Sequence, residues 1–350
     1  MTTFTCPKLM VHGPCGGVGG DGSCEVADEP CVFLDQPVVP WTPPTVGATQ
    51  LAAVAASVTE AQRAPGMRMR QLLQRGRVIV SDFPAAALDV ESISASAAIL
   101  HGTVDAVLAG DAPRNRVQLP PAYRASLIRA AGLPAWAGVN CRDRNRVAIE
   151  GELAGLAHVG VAGVHCVTGD HPALGSRPDA AAVFDLDSTE VAALARAAGL
   201  LVSVAESPAT PPAAQRPARL VEKVRAGAEV CFVNHCGGPG PVGEFIGAAR
   251  RLGAEPWLLA CVPVVVNRAS AELLASFPSM VLPPGFLDRI LTAADPRSAG
   301  IDATVELAES MLAVPGVAGI NLSGGGAPGE ELAFAIDLAE IGARLRSSTG

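Results

Sequence analysis

The chain has 350 residues, 49% of them hydrophobic, and a net charge of −8. That is enough apolar material for one large domain with a small appendage, and the acidic balance argues against a nucleic-acid surface, which needs clustered Lys and Arg. No apolar run reaches the length of a membrane span and Met1 to Met10 carry no apolar core of a secretory signal, so a cytoplasmic protein with reduced thiols and no membrane partner is expected.

Residues 5–33 read TCPKLMVHGPCGGVGGDGSCEVADEPCVF and hold four of the nine cysteines: Cys6, Cys15, Cys24 and Cys31. They are separated by eight, eight and six residues, so there is no C-x-x-C knuckle, and the spacing alone is a weak metal signal. The glycines between them strengthen it. Gly13, Gly16, Gly17, Gly19, Gly20 and Gly22 let the backbone turn sharply around sulfur, and this stretch has little to fold around except converging thiolates. Residues 1–45 are therefore expected to form a small Cys-rich metal-binding domain. The competing reading is an irregular arm with incidental cysteines. His12 reads as structural. Residues 37–47, PVVPWTPPTVG, are a proline-rich linker. Residues 46–76 hold linker and helices, with one helix over Leu51–Arg63 and another over Met67–Arg75, stopped by Gly76.

From residue 77 onward, short apolar segments alternate with longer Ala/Leu/Arg-rich segments of helical period. Strands are expected at 78–83, 104–110, 134–140, 162–170, 200–207, 228–235, 257–266 and 317–325. Helices are expected between them, at 121–132, 147–160, 188–199, 218–226, 242–252 and 301–312. Strands alternating with helices and buried on both faces argue for a parallel sheet. Eight repeats over residues 77–350 suit a (β/α)8 TIM barrel, with a doubly wound open sheet as the alternative. GGVGGDG is no dinucleotide fingerprint, because no strand precedes it.

A barrel carries its active-site groups at the C-terminal ends of its strands. Those ends are Asp82, Asp111, Asn140 with Cys141 and Arg142, Thr168-Gly169-Asp170, Glu206, Asn234 with His235, Asn267 with Arg268, and Ser323-Gly324-Gly325-Gly326. Asp82 is a candidate general acid if burial raises its pKa, or else a loop or helix-capping Asp. Asp170 could accept bonds from the ring N–H groups of a heterocycle. The stretch 140-NCRDRNR-146 is an ion-paired or anion-binding shelf, or else a solvated helix start capped by Asp143. His235 is a ligand contact, a general acid, or a satisfied rim residue. There is no G-x-S-x-G elbow, Walker loop or H-E-x-x-H helix. The only lysines, Lys8 and Lys223, do not end strands, which argues against a Schiff-base aldolase.

The run 140-NCRDRNRVAIEGELAGLAHVGVAGVHCVTGDHP-172, with 182-AVFDLDS-188 and 222-EKVRAGAEVCFVNH-235, resembles the methylenetetrahydrofolate reductase family. The resemblance covers about residues 65–346, and its most specific part is 168-TGD-170. CPK-x-M-x-x-GPCGG followed by G-x-CEV and a further Cys resembles the small cysteine-rich domain that accompanies some bacterial reductases of this family. The resemblance implies an oxidoreductase of one-carbon metabolism that reduces 5,10-methylenetetrahydrofolate to 5-methyltetrahydrofolate, with FAD across the strand ends and NAD(P)H as electron donor. Asp82 falls where the family has its acidic Glu. Asp170 matches an Asp on the flavin and folate rings, and Lys223 a basic residue near the flavin phosphates. Asn234 and His235 lie where a folate-contacting Gln falls, and Asp111, Thr168 and Gly169 belong to the cofactor side. Cys6, Cys15, Cys24 and Cys31 become ligands of one centre, Zn(II) or a [4Fe-4S] cluster.

The departures from the family fall together. The second strand ends in Gly110-Asp111 where the family has a flavin-holding Thr. Gly138 stands in place of a ring-stacking His, 205-AESP-208 in place of a Tyr, and Arg216 near a ribityl-binding Asp. Either flavin is held differently or it has been lost. The alternative function is therefore a flavin-independent folate-binding homologue, or a C1-transfer or assembly subunit. The expected partners are a tetrahydrofolate derivative and, through the Cys-rich domain, a protein partner or a second copy of the chain.

Overall fold

The alternation of strands and helices closes on itself. The structure, a computed structural model, describes residues 5–43, 49–111, 115–277 and 280–347. Eight strands form a closed parallel barrel in sequence order: β1 (Val78–Asp82), β2 (Ala106–Ala109), β3 (Ala135–Asn140), β4 (Gly163–Val167), β5 (Val202–Glu206), β6 (Val230–Val233), β7 (Trp257–Pro263) and β8 (Val317–Ser323). Closure comes from β1 pairing with β8, Val78 opposite Gly319 and Val80 opposite Asn321. The TIM-barrel expectation holds and the open-sheet alternative does not. β3 ends at Asn140 as expected, and the other strands stop one to three residues short, their last expected residues lying in the loops at the barrel mouth.

The helices are α1 (Thr49–Ser57), α2 (Glu60–Arg75), α3 (Val90–Leu100), α4 (Pro121–Ala130), α5 (Arg146–Val159), α6 (Ser188–Ala197), α7 (Arg216–Ala226), α8 (Pro239–Arg251), α9 (Arg268–Ala275), α10 (Phe286–Leu291), α11 (Pro296–Leu312) and α12 (Glu331–Ser347). The first two divide at Val58–Thr59, not at residues 64–66. Thr59 and Gln62 form a reciprocal capping box there, and α2 then runs through Pro65; the cap outweighs the proline as a boundary signal. Residues 44–48, which hold the end of the expected linker and the expected domain boundary, lie outside the described residues, as do residues 348–350. Among the described residues no helix is long and apolar enough to cross a membrane.

Two apolar layers follow from strand parity. Outward-facing residues such as Val107, Val139, Val164, Val204 and Ile320 pack under the helices. Inward-facing Val78, Val80, Trp136, Phe232 and Leu259 fill the lower barrel, which Met69 and Leu73 of α2 plug at its N-terminal pole. Trp136 donates from Nε1 to Ser203 Oγ at 2.9 Å, and Phe232 meets its ring edge-on at 5.3 Å. The filled lower barrel leaves polar side chains for the opposite, C-terminal mouth.

Candidate functional site

β1 ends in Asp82, and β8 places Asn321 and Ser323 beside it. Asn321 Nδ2 donates to the Asp82 carboxylate at 2.9 Å, Ser323 Oγ at 3.0 Å and the Gly324 N–H at 3.1 Å. Burial pushes the Asp82 pKa up, and the three donors, which favour the charged form, offset only part of that rise. The carboxylate lines a cavity of about 200 Å³ together with Asn234, His235, Phe277 and Met280. The chain around residue 281 closes this side: Val281 N–H donates to the His235 carbonyl at 3.2 Å, and Gly237 N–H to that of Val281 at 2.9 Å. Two buried polar atoms here have no partner, His235 Nε2 and Asn321 Oδ1. Burial lowers the His235 pKa to about 4, so the imidazole is neutral at pH 7. Orphaned buried groups cost ~1–3 kcal/mol each; of these two residues His235 lines the cavity and Asn321 does not.

A second lobe of about 290 Å³ lies over β4 and β5, and Asn234 and Phe277 border both lobes. Asp111, Thr168, Gly169, Asp170, Glu206 and Lys223 line it. Thr168 Oγ1 accepts from Ser188 N–H at 3.3 Å. Gly169 takes φ +87°, a left-handed turn that suits glycine, and its carbonyl accepts from Lys8 Nζ at 2.9 Å. Asp170 is 53% exposed, with Arg116 at 3.5 Å. Lys223 donates to the Ala205 carbonyl at 2.6 Å and to Glu206 at 2.5 Å. Burial lowers the Lys223 pKa against the pull of Glu206.

The arginine shelf is ion-paired. Arg142 meets Asp111 at 2.8 Å and Asp143 at 2.9 Å, and Asn140 Nδ2 donates to Asp111 at 2.6 Å. Burial alone would lower the Arg142 pKa, and the two carboxylates more than offset it. The cap of α5 is Asn145, which accepts from Ala148 N–H at 3.1 Å, not Asp143, whose carboxylate is held by the two flanking arginines. Asn267 is likewise a cap, of α9. Gly138 packs so tightly on the end of β2 that a Cβ there would lie 2.8 Å from Gly110 Cα.

The cysteine-rich segment forms a wall of this cavity. Cys6, Cys15, Cys24 and Cys31 line one void of about 20 Å³, and short antiparallel bridges, Val18 to Cys24 and Ser23 to Pro30, shape the loop around it. Burial, with the neighbouring thiols adding to it, raises the Cys6 and Cys31 pKa values. All nine cysteines are free. Among the described residues no three Cys, His, Asp or Glu side chains are gathered as a formed metal site. The segment docks through Lys8, which pairs with Glu25 and reaches Gly169, and through Arg216, which donates to the Pro14 and Cys15 carbonyls at 3.3 and 3.0 Å. The linker is held too: Trp41 N–H donates to Glu222 at 2.7 Å. Lys8, Cys15, Gly17 and Glu25 border both the thiol void and the larger lobe.

The structure thus gathers Asp82, Asn234 and His235 in one lobe and Asp111, Thr168, Gly169, Asp170 and Lys223 in the other. Sequence reasoning missed Asn321 and Phe277, and the cavity-lining role of Lys8 and Met10. Asn321 left a signal, a lone amide in the apolar strand VAGINLS with the parity of Ser323. Phe277 left none.

Residues 2–36 match the family model described as Methylene-tetrahydrofolate reductase C terminal, so the resemblance of the cysteine-rich segment stands. No curated protein matches the chain. Among solved structures, the chain is similar to an uncharacterized protein from Clostridium thermocellum that binds two copies of 5-methyl-5,6,7,8-tetrahydrofolic acid. The identity is 12%, the match covers 78% of this chain and 99% of that one, and the TM-score is 0.53. Phosphonopyruvate hydrolase, solved with oxalate and Mg2+, matches at 14% identity over 82% of this chain and 88% of its own, with a TM-score of 0.46. The likeness to the Clostridium thermocellum protein bears on the barrel fold.

Proposed function

We propose that this chain handles a reduced folate in one-carbon metabolism, in the manner of methylenetetrahydrofolate reductases but without a flavin. The observation that carries this reading is the lobe at Asp82: a buried carboxylate of raised pKa, a neutral imidazole and the Asn234 amide around a space of about 200 Å³. A pterin presents N–H donors and ring acceptors on one edge, which suits His235 and Asn234. Phe277 offers an apolar surface to its face. The folate bound by the Clostridium thermocellum protein on a similar barrel supports the same choice of ligand.

The reaction proposed is reduction of 5,10-methylenetetrahydrofolate. Asp82 gives its proton to a bridging nitrogen, that carbon–nitrogen bond opens to an iminium, and hydride from NAD(P)H completes the methyl group. The residues present fit a flavin poorly. Gly138 has no room for a stacking side chain, Asp111 is tied to Arg142 and Asn140, and Lys223 is spent on Glu206 and a backbone carbonyl. For the cysteine centre, four thiols around a void of about 20 Å³ suit a single Zn(II) better than a four-iron cluster. The second reading, a folate-binding subunit that acts with a partner, is favoured by Leu9 and Val11, which stand 60% and 55% exposed on the cysteine-rich segment.

The test is calorimetric titration of the purified protein with 5-methyltetrahydrofolate, followed by NADH and NADPH oxidation with 5,10-methylenetetrahydrofolate and no added flavin. Binding with turnover supports the reductase, and binding without turnover supports the subunit. No binding of either folate overturns both.

A further inference from the structure

Arg216 is an unusual buried charge beside the cysteine-rich segment. Its side chain is 1% exposed, and its bonds go to uncharged groups. Nε donates to the Thr210 carbonyl at 2.9 Å, Nη2 to that of Pro211 at 2.7 Å, and Nη1 to those of Pro14 and Cys15. The carboxylate paired with it, Glu206, is 4.0 Å away and is already bonded to Lys223 at 2.5 Å. The other cations of the larger lobe each have a carboxylate: Lys8 has Glu25, Arg142 has Asp111 and Asp143, and Arg219 has Asp187. One carboxylate therefore faces two buried cations, and one positive charge is left over. A buried charge without a counter-ion is strongly destabilising.

The opposite side of Arg216 answers this surplus. Its Nη1 holds the Pro14 and Cys15 carbonyls, and Cys15 lines the thiol void with Cys6, Cys24 and Cys31. Four thiolates on one divalent ion carry a net charge of −2. We propose that Arg216 is the built-in counter-cation of an anionic metal–thiolate centre, and that it positions the Pro14–Cys15 backbone so that the loaded centre forms the wall of the larger lobe. This inference rests on the metal reading above. Outer-shell partners of metal ligands typically change metal affinity 10–100-fold, and Arg216 acts from that position. Glu206 opposes it by drawing off part of the charge.

The experiment measures zinc affinity by competition with a colorimetric chelator, in the full-length protein and in Arg216→Met, Arg216→Lys and Glu206→Gln. The expected result is a loss of about 10–100-fold for Arg216→Met, partial rescue by Arg216→Lys, and a tighter site in Glu206→Gln. Thermal unfolding of the metal-free forms separates this role from plain packing. Without the anionic centre the surplus cation is a liability, so Arg216→Met should cost less stability in the metal-free protein than in the loaded one. Equal zinc affinity in all four proteins, or an equal stability loss with and without metal, overturns the proposal. Should Arg216→Met fail to fold, the opposite signs expected for Arg216→Lys and Glu206→Gln decide it. A wild-type protein that takes up no zinc overturns the metal reading itself, and this inference with it.

Discussion

Replacing Asp82 with Asn separates its chemical role from its structural one. The carboxylate receives Asn321 Nδ2 on one oxygen, and Ser323 Oγ with Gly324 N–H on the other. An Asn side chain can keep its oxygen on the Ser323 side and satisfy both donors there. Its amide then faces Asn321, whose unpartnered Oδ1 can accept once that side chain flips. The fold therefore loses about one net hydrogen bond at most, ~1 kcal/mol. The proton donor is lost outright, and a positioned general acid is worth about 10²–10⁴ in rate. Single-turnover reduction of 5,10-methylenetetrahydrofolate should fall by that factor in Asp82→Asn, while the Kd for 5-methyltetrahydrofolate changes less than tenfold. A folded pKa above the unfolded one means that the native state holds the proton longer. The Asp82 contribution to stability is thus full at low pH and is lost as pH rises from the ordinary carboxylate range through its raised value. In Asp82→Asn that segment of the stability curve should flatten. Unchanged turnover, with unchanged pH dependence, would refute the assignment of Asp82 as the acid.

Other expectations concern charge, space and metal. His235 is depressed from 6.5 to about 4, so its contribution is present above pH 6.5 and is lost as pH falls toward 4; the gap is worth ~3 kcal/mol. In an acid titration followed by circular dichroism, His235→Gln should remove that part of the slope. Gly138→Ala would drive a methyl to 2.8 Å from Gly110 Cα, a backbone atom that cannot swing away. A loss of ~1–3 kcal/mol is expected in urea unfolding, and a neutral result would mean that the β2–β3 mouth is looser than described. Metal analysis should find one zinc per chain and no flavin band in the absorption spectrum. Serine at any one of Cys6, Cys15, Cys24 or Cys31 should release the metal, whereas serine at buried Cys166 should leave it bound.

The barrel was legible because parallel strands buried on both faces read as short apolar runs, and the polar residues that end them mark the mouth. Asp82, Asp170 and Asn234 were found in that way. Pairing across the closure was not legible: Asn321 meets Asp82 only because β8 returns to β1, a contact across 239 positions. The split between α1 and α2 was expected at residues 64–66, whereas the Thr59–Gln62 box sets it. Asn267 has the strand-end position of a catalytic group and turns out to be a cap. Position at the mouth is a necessary sign of function, and only the local hydrogen bonds separate a cap from a ligand contact.

The same reasoning changes the meaning of the cysteine-rich segment. Four spaced thiols in a glycine-rich stretch look like an appendage, and nothing in their spacing points at the barrel. What ties them in are charges far apart in sequence: Lys8 to the exit of β4 at Gly169, and Arg216 at the start of α7 back to Pro14 and Cys15. An appendage joined by a flexible linker would not need buried cations. Buried cations strapped to backbone carbonyls fix a loop in place, and the fixed loop contributes Lys8, Met10, Cys15 and Gly17 to the larger lobe. If Lys8→Met weakens the binding of 5-methyltetrahydrofolate while the barrel's unfolding midpoint holds, the segment serves the ligand site directly. If it lowers the midpoint without touching binding, the wall is only a seal, and the folate lies wholly in the lobe around Asp82.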